Sequence, residues 1–189
     1  LTTQIGGEVI PSDVPGSLAM GVRQPAGVVL GISPWNAPII LGVRAIATPP
    51  ACGNTVILKG SENCPRTHQL IIEAFQDAGF PPGVVNYLTN APADAGAVVE
   101  AMVAHPAVRR VNFTGSTLVG KLIAMTCAKY LKPVVLELGG KAPMVVLDDA
   151  DLEAAVNGAA FGAFANSGQI CMSTERIICD RKIADDFVA

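Results

Sequence analysis

Cys171 is the side chain in this sequence best suited to nucleophilic chemistry. It follows the polar, glycine-containing run Asn166-Ser167-Gly168-Gln169-Ile170 and precedes Ser173-Thr174-Glu175-Arg176. A turn of that composition exposes what it carries, and an exposed, partly ionised thiol attacks electrophilic carbon. Taken alone, Cys171 is also one of five cysteines, and a cysteine is more often a small apolar residue than a nucleophile. Other groups could complete a site. Glu137 closes the apolar run Val134-Val135-Leu136, where partial burial would raise its pKa toward the range of a general base. A structural or capping carboxylate is the alternative. The amide of Asn36, after Trp35, is suited to donating to an oxyanion or to satisfying loop backbone. Lys59 and Glu62 flank a turn and could hold ribose hydroxyls, or form a solvated ion pair.

A fifth stretch, Gly115-Ser116-Thr117-Leu118-Val119-Gly120, falls between an expected strand and an expected helix. Glycine lets backbone approach a phosphate, and a helix N-terminus favours an anion. The spacing is not GxGxxG. Through Lys121 it matches the first seven positions of a P-loop, but Leu122 stands where that motif needs a hydroxyl for Mg²⁺. A plain glycine turn remains the alternative.

These groups need elements to hold them. Residues Leu1 to Ala26, broken by Gly6-Gly7, Pro11, Pro15-Gly16 and Pro25, read as one or two extended edge strands. Val28–Ile32 is an uninterrupted apolar run, as expected of a strand buried on both faces. Helices are then expected over Pro38–Ala47, Pro65–Ala78, Pro92–Ala104 and Thr117–Tyr130. Strands are expected over Asn54–Lys59, Val84–Leu88, Val108–Phe113 and Pro133–Leu138. Such alternation predicts an α/β domain, a doubly wound parallel sheet covered by helices. Ligands bind beyond the carboxyl ends of such strands, which is where the polar interruptions fall. A domain boundary is expected near Gly139–Lys141. A strand Ala142–Leu147 and a helix Asp148–Ala165, with Asp148, Asp149 and Asp151 at its N-terminus, then open a second α/β domain that carries the Cys171 turn. The chain begins mid-pattern and ends on what reads as the start of a helix at Ile183–Ala189, so a fragment is expected.

Composition excludes several classes. The 189 residues are 50% hydrophobic and 15% charged, with a net charge of −3. Such a chain folds, and it offers no basic footprint for nucleic acid. The cysteines are odd in number and widely spaced, with no CxxC pair, which points to a reducing, cytoplasmic compartment. His68 and His105 are isolated, so no metal site is expected. Gln24–Val43 is uncharged, but Ser33, Pro34, Asn36 and Pro38 interrupt it, and no membrane span is expected.

Taken together, the motifs resemble the aldehyde dehydrogenase superfamily. The stretches that carry the resemblance are Pro34-Trp35-Asn36, Gly53–Lys59, Ser61-Glu62, Phe113–Thr117, Val119-Gly120, Leu136–Lys141 and Gly168–Cys171, in the family's order and at about its spacing. The version of the cysteine motif here, Gly168 to Arg176, is most similar to that of bacterial dehydrogenases for salicylaldehyde, benzaldehyde and vanillin. The resemblance implies NAD-dependent oxidation of an aldehyde, of aromatic type, to the acid. In that scheme Cys171 attacks the aldehyde and Asn36, with the Cys171 backbone N–H, stabilises the oxyanion. Hydride leaves for NAD⁺, and Glu137 activates the water that hydrolyses the thioester. The implied cofactor residues are Ile32, Ser33, Pro34, Trp35, Lys59, Ser61, Glu62, Gly115, Ser116, Gly120, Leu138 and Gly139. Glu62 would oppose a 2′-phosphate and so favours NAD over NADP.

The implied domains are 1–26, part of the oligomerisation strands; 27–140, cofactor binding; and 141–189, the start of the catalytic domain. The implied partners are a small aldehyde and further copies of the chain in a homodimer or homotetramer. Three rivals differ in chemistry. Acyl transfer to coenzyme A is opposed by Glu137, a P-loop hydrolase by Leu122, and a non-catalytic relative by the intact Cys171, Glu137 and Asn36. Departures from the family pattern are Thr48-Pro49-Pro50, Gly60 and Leu118.

Overall fold

Short exposed strands come first. In the computed structural model, which describes residues 2–189, β1 (Glu8–Ile10) and β2 (Ala19–Gly21) pair antiparallel, with Glu8 opposite Gly21. Every residue of β1 is exposed. The regular part begins at β3 (Val28–Ile32), four of whose five residues are buried. There follow α1 (Pro38–Ile46), a one-turn α2 (Thr48–Ala51), β4 (Thr55–Lys59), α3 (Pro65–Asp77), β5 (Val85–Leu88), α4 (Ala95–Ala104), β6 (Val108–Thr114), α5 (Thr117–Lys129) and β7 (Val134–Glu137). The five strands β3 to β7 make one sheet, in the order β5-β4-β3-β6-β7, all parallel.

That order is the 3-2-1-4-5 arrangement of the doubly wound fold. Right-handed crossovers then put α1 and α3 on one face of the sheet and α4 and α5 on the other. The packing agrees, since α1 contacts α3 and α4 contacts α5. Leu30, Val56 and Leu58 are completely buried in the central strands, as is Ile46 of α1. Burying each such side chain contributes roughly 1.5–3 kcal/mol. The strand order also matters for ligands, because β3 and β6 are neighbours whose crossovers leave in opposite directions. A crevice opens between the loops that follow such a pair.

The paired prolines at 49 and 50 do not distort α1. It ends at Ile46, and both prolines lie at the start of α2, where proline is tolerated.

The chain divides into two compact units, one running to Glu137 and one over Leu138–Ala189. The second contains β8 (Ala142–Val146), α6 (Leu152–Phe164), β9 (Thr174–Cys179) and α7 (Ala184–Val188), with β8 and β9 parallel. Helix α6 starts later than the expected Asp148. The Asp151 side chain accepts from the Ala154 N–H at 3.0 Å and so caps the helix. Asp148 and Asp149 lie ahead of it, and Asp148 pairs instead with Lys182. Among the described residues no helix is long and apolar enough to cross a membrane.

Candidate active site

The loops after β3, β4 and β6 meet in a cleft of about 650 Å³ at the carboxyl end of the sheet. Its walls include Ile32, Ser33, Pro34, Trp35, Lys59, Ser61, Glu62, Gly115 and Ser116. Residues thirty to eighty positions apart in the sequence are thus gathered by three parallel strands that end at one level. Residues Gly96 and Val99 of α4, with Val119, Leu122 and Ile123 of α5, also line it.

The polar wall is built around Glu62. The Lys59 ammonium sits 2.9 Å from its Oε1, and the Asn90 side chain donates to the same oxygen at 3.2 Å. The lysine side chain is 6% exposed, so this is not a solvated surface pair. Partial burial pushes the Glu62 carboxyl up, but its own backbone N–H, Lys59 and Asn90 outweigh that and hold it below the usual range. Glu62 is therefore a fixed anion that keeps acceptor capacity for a ligand's hydroxyls. Asn90 follows β5, and no reading of the sequence singled it out. Its position after the neighbouring strand's carboxyl end was the available signal.

The opposite wall is the entry to α5. The Ser116 hydroxyl caps that helix by accepting from the Val119 N–H at 3.3 Å. The Gly115 N–H donates to the Glu137 carbonyl at 3.0 Å. Position 115 has no room for a side chain, because a Cβ there would lie 2.5 Å from Cζ of Phe113. The bare backbone and the thirteen-residue helix behind it form an anion-accepting end. The Ser33 hydroxyl also lines the cleft, is buried, and has no protein partner. Gly60 admits no Cβ either, since Tyr87 Cε2 would be 2.7 Å away. The tyrosine on β5 explains why glycine stands there.

Not every expected site residue is on this cleft. Gly120 is buried one turn into α5, where its N–H closes the helix on the Ser116 carbonyl. Asn36 is half-buried in the loop before α1. Leu138 and Gly139 begin the second unit. Glu137 corrects one expectation. Its side chain is exposed, not partly buried, because β7 is an edge strand with β6 as its one neighbour in the sheet.

Cys171 is exposed, on the turn between α6 and β9. Three successive residues ahead of it, Asn166, Ser167 and Gly168, are left-handed, with φ of 52°, 58° and 71°. Two of these are not glycine, a conformation that costs of order 1 kcal/mol or more each and marks an over-determined turn. The Gln169 N–H donates back to the Asn166 carbonyl at 3.1 Å. The Ser173 N–H then donates to the Ile170 carbonyl at 3.0 Å, closing a tight turn with Cys171 and Met172 at its tip. Gly140 lies against this turn: a Cβ on it would be 3.5 Å from the Cys171 carbonyl oxygen. Among the described residues no group of three or more His, Cys, Asp or Glu side chains could hold a metal ion.

Comparison with known proteins gives matches over nearly the whole chain. The chain is 68% identical over 189 residues to a vanillin dehydrogenase of Pseudomonas fluorescens, all of this chain aligning with 39% of that protein. It matches the crystal structure of a salicylaldehyde dehydrogenase from Pseudomonas putida G7, complexed with salicylaldehyde, with a TM-score of 0.96 and 54% identity. That match covers 99% of this chain and 39% of the other. It also matches a betaine aldehyde dehydrogenase of Staphylococcus aureus in complex with NAD⁺, with a TM-score of 0.91 and 36% identity over 99% of this chain and 36% of that one. The chain thus spans well under half the length of these relatives. The sequence model of the aldehyde dehydrogenase family covers residues 1–189 without remainder, and the chain belongs to that family.

Proposed function

We propose that this chain is the cofactor-binding and nucleophile-bearing part of an NAD-dependent dehydrogenase that oxidises an aromatic aldehyde to the carboxylic acid. The carrying observation is the cleft that joins an ionised Glu62, backed by Lys59, to the N-terminus of α5. One end suits ribose hydroxyls and the other a pyrophosphate, in the order a dinucleotide needs. The unpartnered Ser33 hydroxyl between them fits a further polar contact. An anionic Glu62 repels a 2′-phosphate, which favours NAD over NADP. The aromatic substrate class is supported by the relatives named for vanillin and salicylaldehyde.

The residues act in succession. The Cys171 sulfur attacks the aldehyde carbon, giving a thiohemiacetal, and the Asn36 amide with the Cys171 N–H holds the developing oxyanion. Bound NAD⁺ supplies the hydride acceptor that makes the oxidation possible. The thioester left on Cys171 is hydrolysed by water that Glu137 deprotonates, releasing the acid and the free thiol. Residues 27–140 serve as the cofactor domain and 141–189 as the start of the catalytic one. Exposed Val9, Met20 and Val22 on and beside the β1–β2 ribbon support a subunit contact for residues 1–26, in a homodimer or homotetramer.

The test uses the full-length parent enzyme and follows NADH formation with salicylaldehyde, benzaldehyde, vanillin and a short aliphatic aldehyde. The aromatic substrates are expected to lead in kcat/KM by at least about tenfold. Preference for the aliphatic aldehyde would remove the aromatic assignment, and no NADH with any aldehyde would remove the whole reading. The cleft makes a second demand. Gly115→Val forces the Phe113 ring out of place and lifts the backbone off the anion site, so KM for NAD⁺ is expected to rise about tenfold or more. An unchanged KM for NAD⁺ would detach Gly115 from the cofactor.

A further inference from the structure

The mechanism above makes no use of His68, although it is a histidine with no exposed surface at all. Its ring lies directly beneath the turn that presents Ser61 and Glu62 to the cleft. The Ser61 backbone N–H donates to His68 Nδ1 at 3.1 Å, and the Cys64 sulfur lies 3.8 Å from the same nitrogen. With an N–H directed at it, Nδ1 carries no proton, and the ring is the neutral Nε2–H tautomer. Burial pushes the imidazole below its ordinary pKa, the Pro38 carbonyl opposes that shift, and the Lys59 charge adds to it. The far side of the ring is held by α1: a Cβ on Gly42 would be 3.1 Å from its Cδ2 and 3.5 Å from its Nε2. The near side is as tight, since a Cβ on Gly60 would be 3.0 Å from Nδ1. The ring thus fills the space between α1 and the β4 turn, with one acceptor aimed at one backbone donor.

We propose that His68 is a positioning residue for the cofactor: through Nδ1 it fixes the Ser61 amide, and so the turn that places Glu62 and Lys59 on the adenosine side of the cleft. The inference rests on the cofactor reading of the cleft, and goes beyond it in assigning a residue that touches no ligand. A purely space-filling histidine would be replaced without loss by an apolar side chain of similar size. A positioning histidine would not, because the buried Ser61 N–H would lose its acceptor and the turn would shift to recover one. Asparagine carries an acceptor oxygen at the same distance along the side chain as Nδ1. It is therefore the substitution that should preserve the function while losing much of the packing.

The experiment compares His68→Leu and His68→Asn in the full-length parent enzyme. Binding of AMP and of NAD⁺ is measured by titration calorimetry, beside kcat and both KM values. His68→Leu is expected to weaken AMP and NAD⁺ about tenfold, with kcat at saturating NAD⁺ and KM for the aldehyde within about twofold of wild type. His68→Asn is expected to recover most of the affinity. Where the leucine variant does not fold, His68→Gln, whose acceptor sits one bond further out, replaces it in the comparison and is expected to bind less tightly than His68→Asn. Wild-type AMP affinity in the leucine or glutamine variant would overturn the inference. So would equal losses in kcat, aldehyde KM and cofactor affinity in all variants, the mark of a general packing role. Failure of the wild-type enzyme to bind AMP or NAD⁺ would overturn the cofactor reading itself, and the inference with it.

Discussion

Cys171→Ser in the full-length parent enzyme is expected to lower kcat/KM for the aldehyde by at least about 10³-fold, with NAD⁺ affinity changed less than about twofold. The substitution exchanges one atom, sulfur for oxygen, with little change of shape, so folding is not at stake. The lost property is nucleophilicity. A thiol is a few per cent ionised near pH 7 even without help, whereas a serine hydroxyl needs an adjacent base to become an attacking group. The other four cysteines do not compete for the role. Cys127 is buried in α5, and burial pushes its thiol above the ordinary range, as it does for Cys64, while Cys52 and Cys179 are half-buried. Brief alkylation with iodoacetamide at neutral pH, followed by peptide mass spectrometry, is therefore expected to mark Cys171 first and to remove activity in proportion. Calorimetric titration of the serine variant with NAD⁺ checks the second half of the expectation. Retained turnover in Cys171→Ser would leave the thiohemiacetal scheme without its nucleophile.

The turn that carries this thiol shows where sequence reasoning reaches and where it stops. Polar residues and a glycine announced a turn, but the run of left-handed residues at Asn166 and Ser167 could not be read from their types, because neither requires positive φ. The parallel sheet was legible for a different reason. Strands such as Val28–Ile32 are uninterrupted apolar runs, and helices such as Pro65–Asp77 are bounded by proline and glycine, so both kinds of element announce their ends. Clustering of the polar loops followed from parallel topology, which puts successive carboxyl ends at one edge.

Burial was harder to foresee, because it depends on neighbours and not on the strand itself. Val134–Glu137 reads as apolar, yet its place at the sheet edge leaves Glu137 exposed. The burial of His68 was not legible either: isolated in sequence, it is packed between a turn seven residues back and a helix from another part of the chain. Asn90 reaches Glu62 because β5 lies beside β4, a fact of strand order that local sequence does not contain.

The exposed Glu137 leads to the second large effect. Glu137→Gln is expected to lower steady-state kcat by about 10²–10³-fold while leaving a first turnover that forms one NADH per active site. The backbone at this position is fixed: residue 137 pairs with Thr114 in the sheet, and its carbonyl accepts from the Gly115 N–H at 3.0 Å. The amide variant keeps the shape and those bonds, so the loop that lines the cleft stays in place. It removes only the ability to take a proton from water. Attack by Cys171 and hydride departure need no proton acceptor at Glu137 once the thiolate has formed, whereas hydrolysis of the thioester does. The variant should therefore stop with its acyl group on Cys171, visible by intact mass spectrometry as the mass of the aldehyde less one hydrogen replacing the thiol proton. Hydroxylamine, which attacks thioesters without a general base, should release the acyl group and restore NADH formation. Loss of the burst together with the steady state would mean that Glu137 acts earlier, as the base that deprotonates the Cys171 thiol. In that case no acyl-enzyme would accumulate and hydroxylamine would rescue nothing, so the two roles of one carboxylate are separable in a single variant.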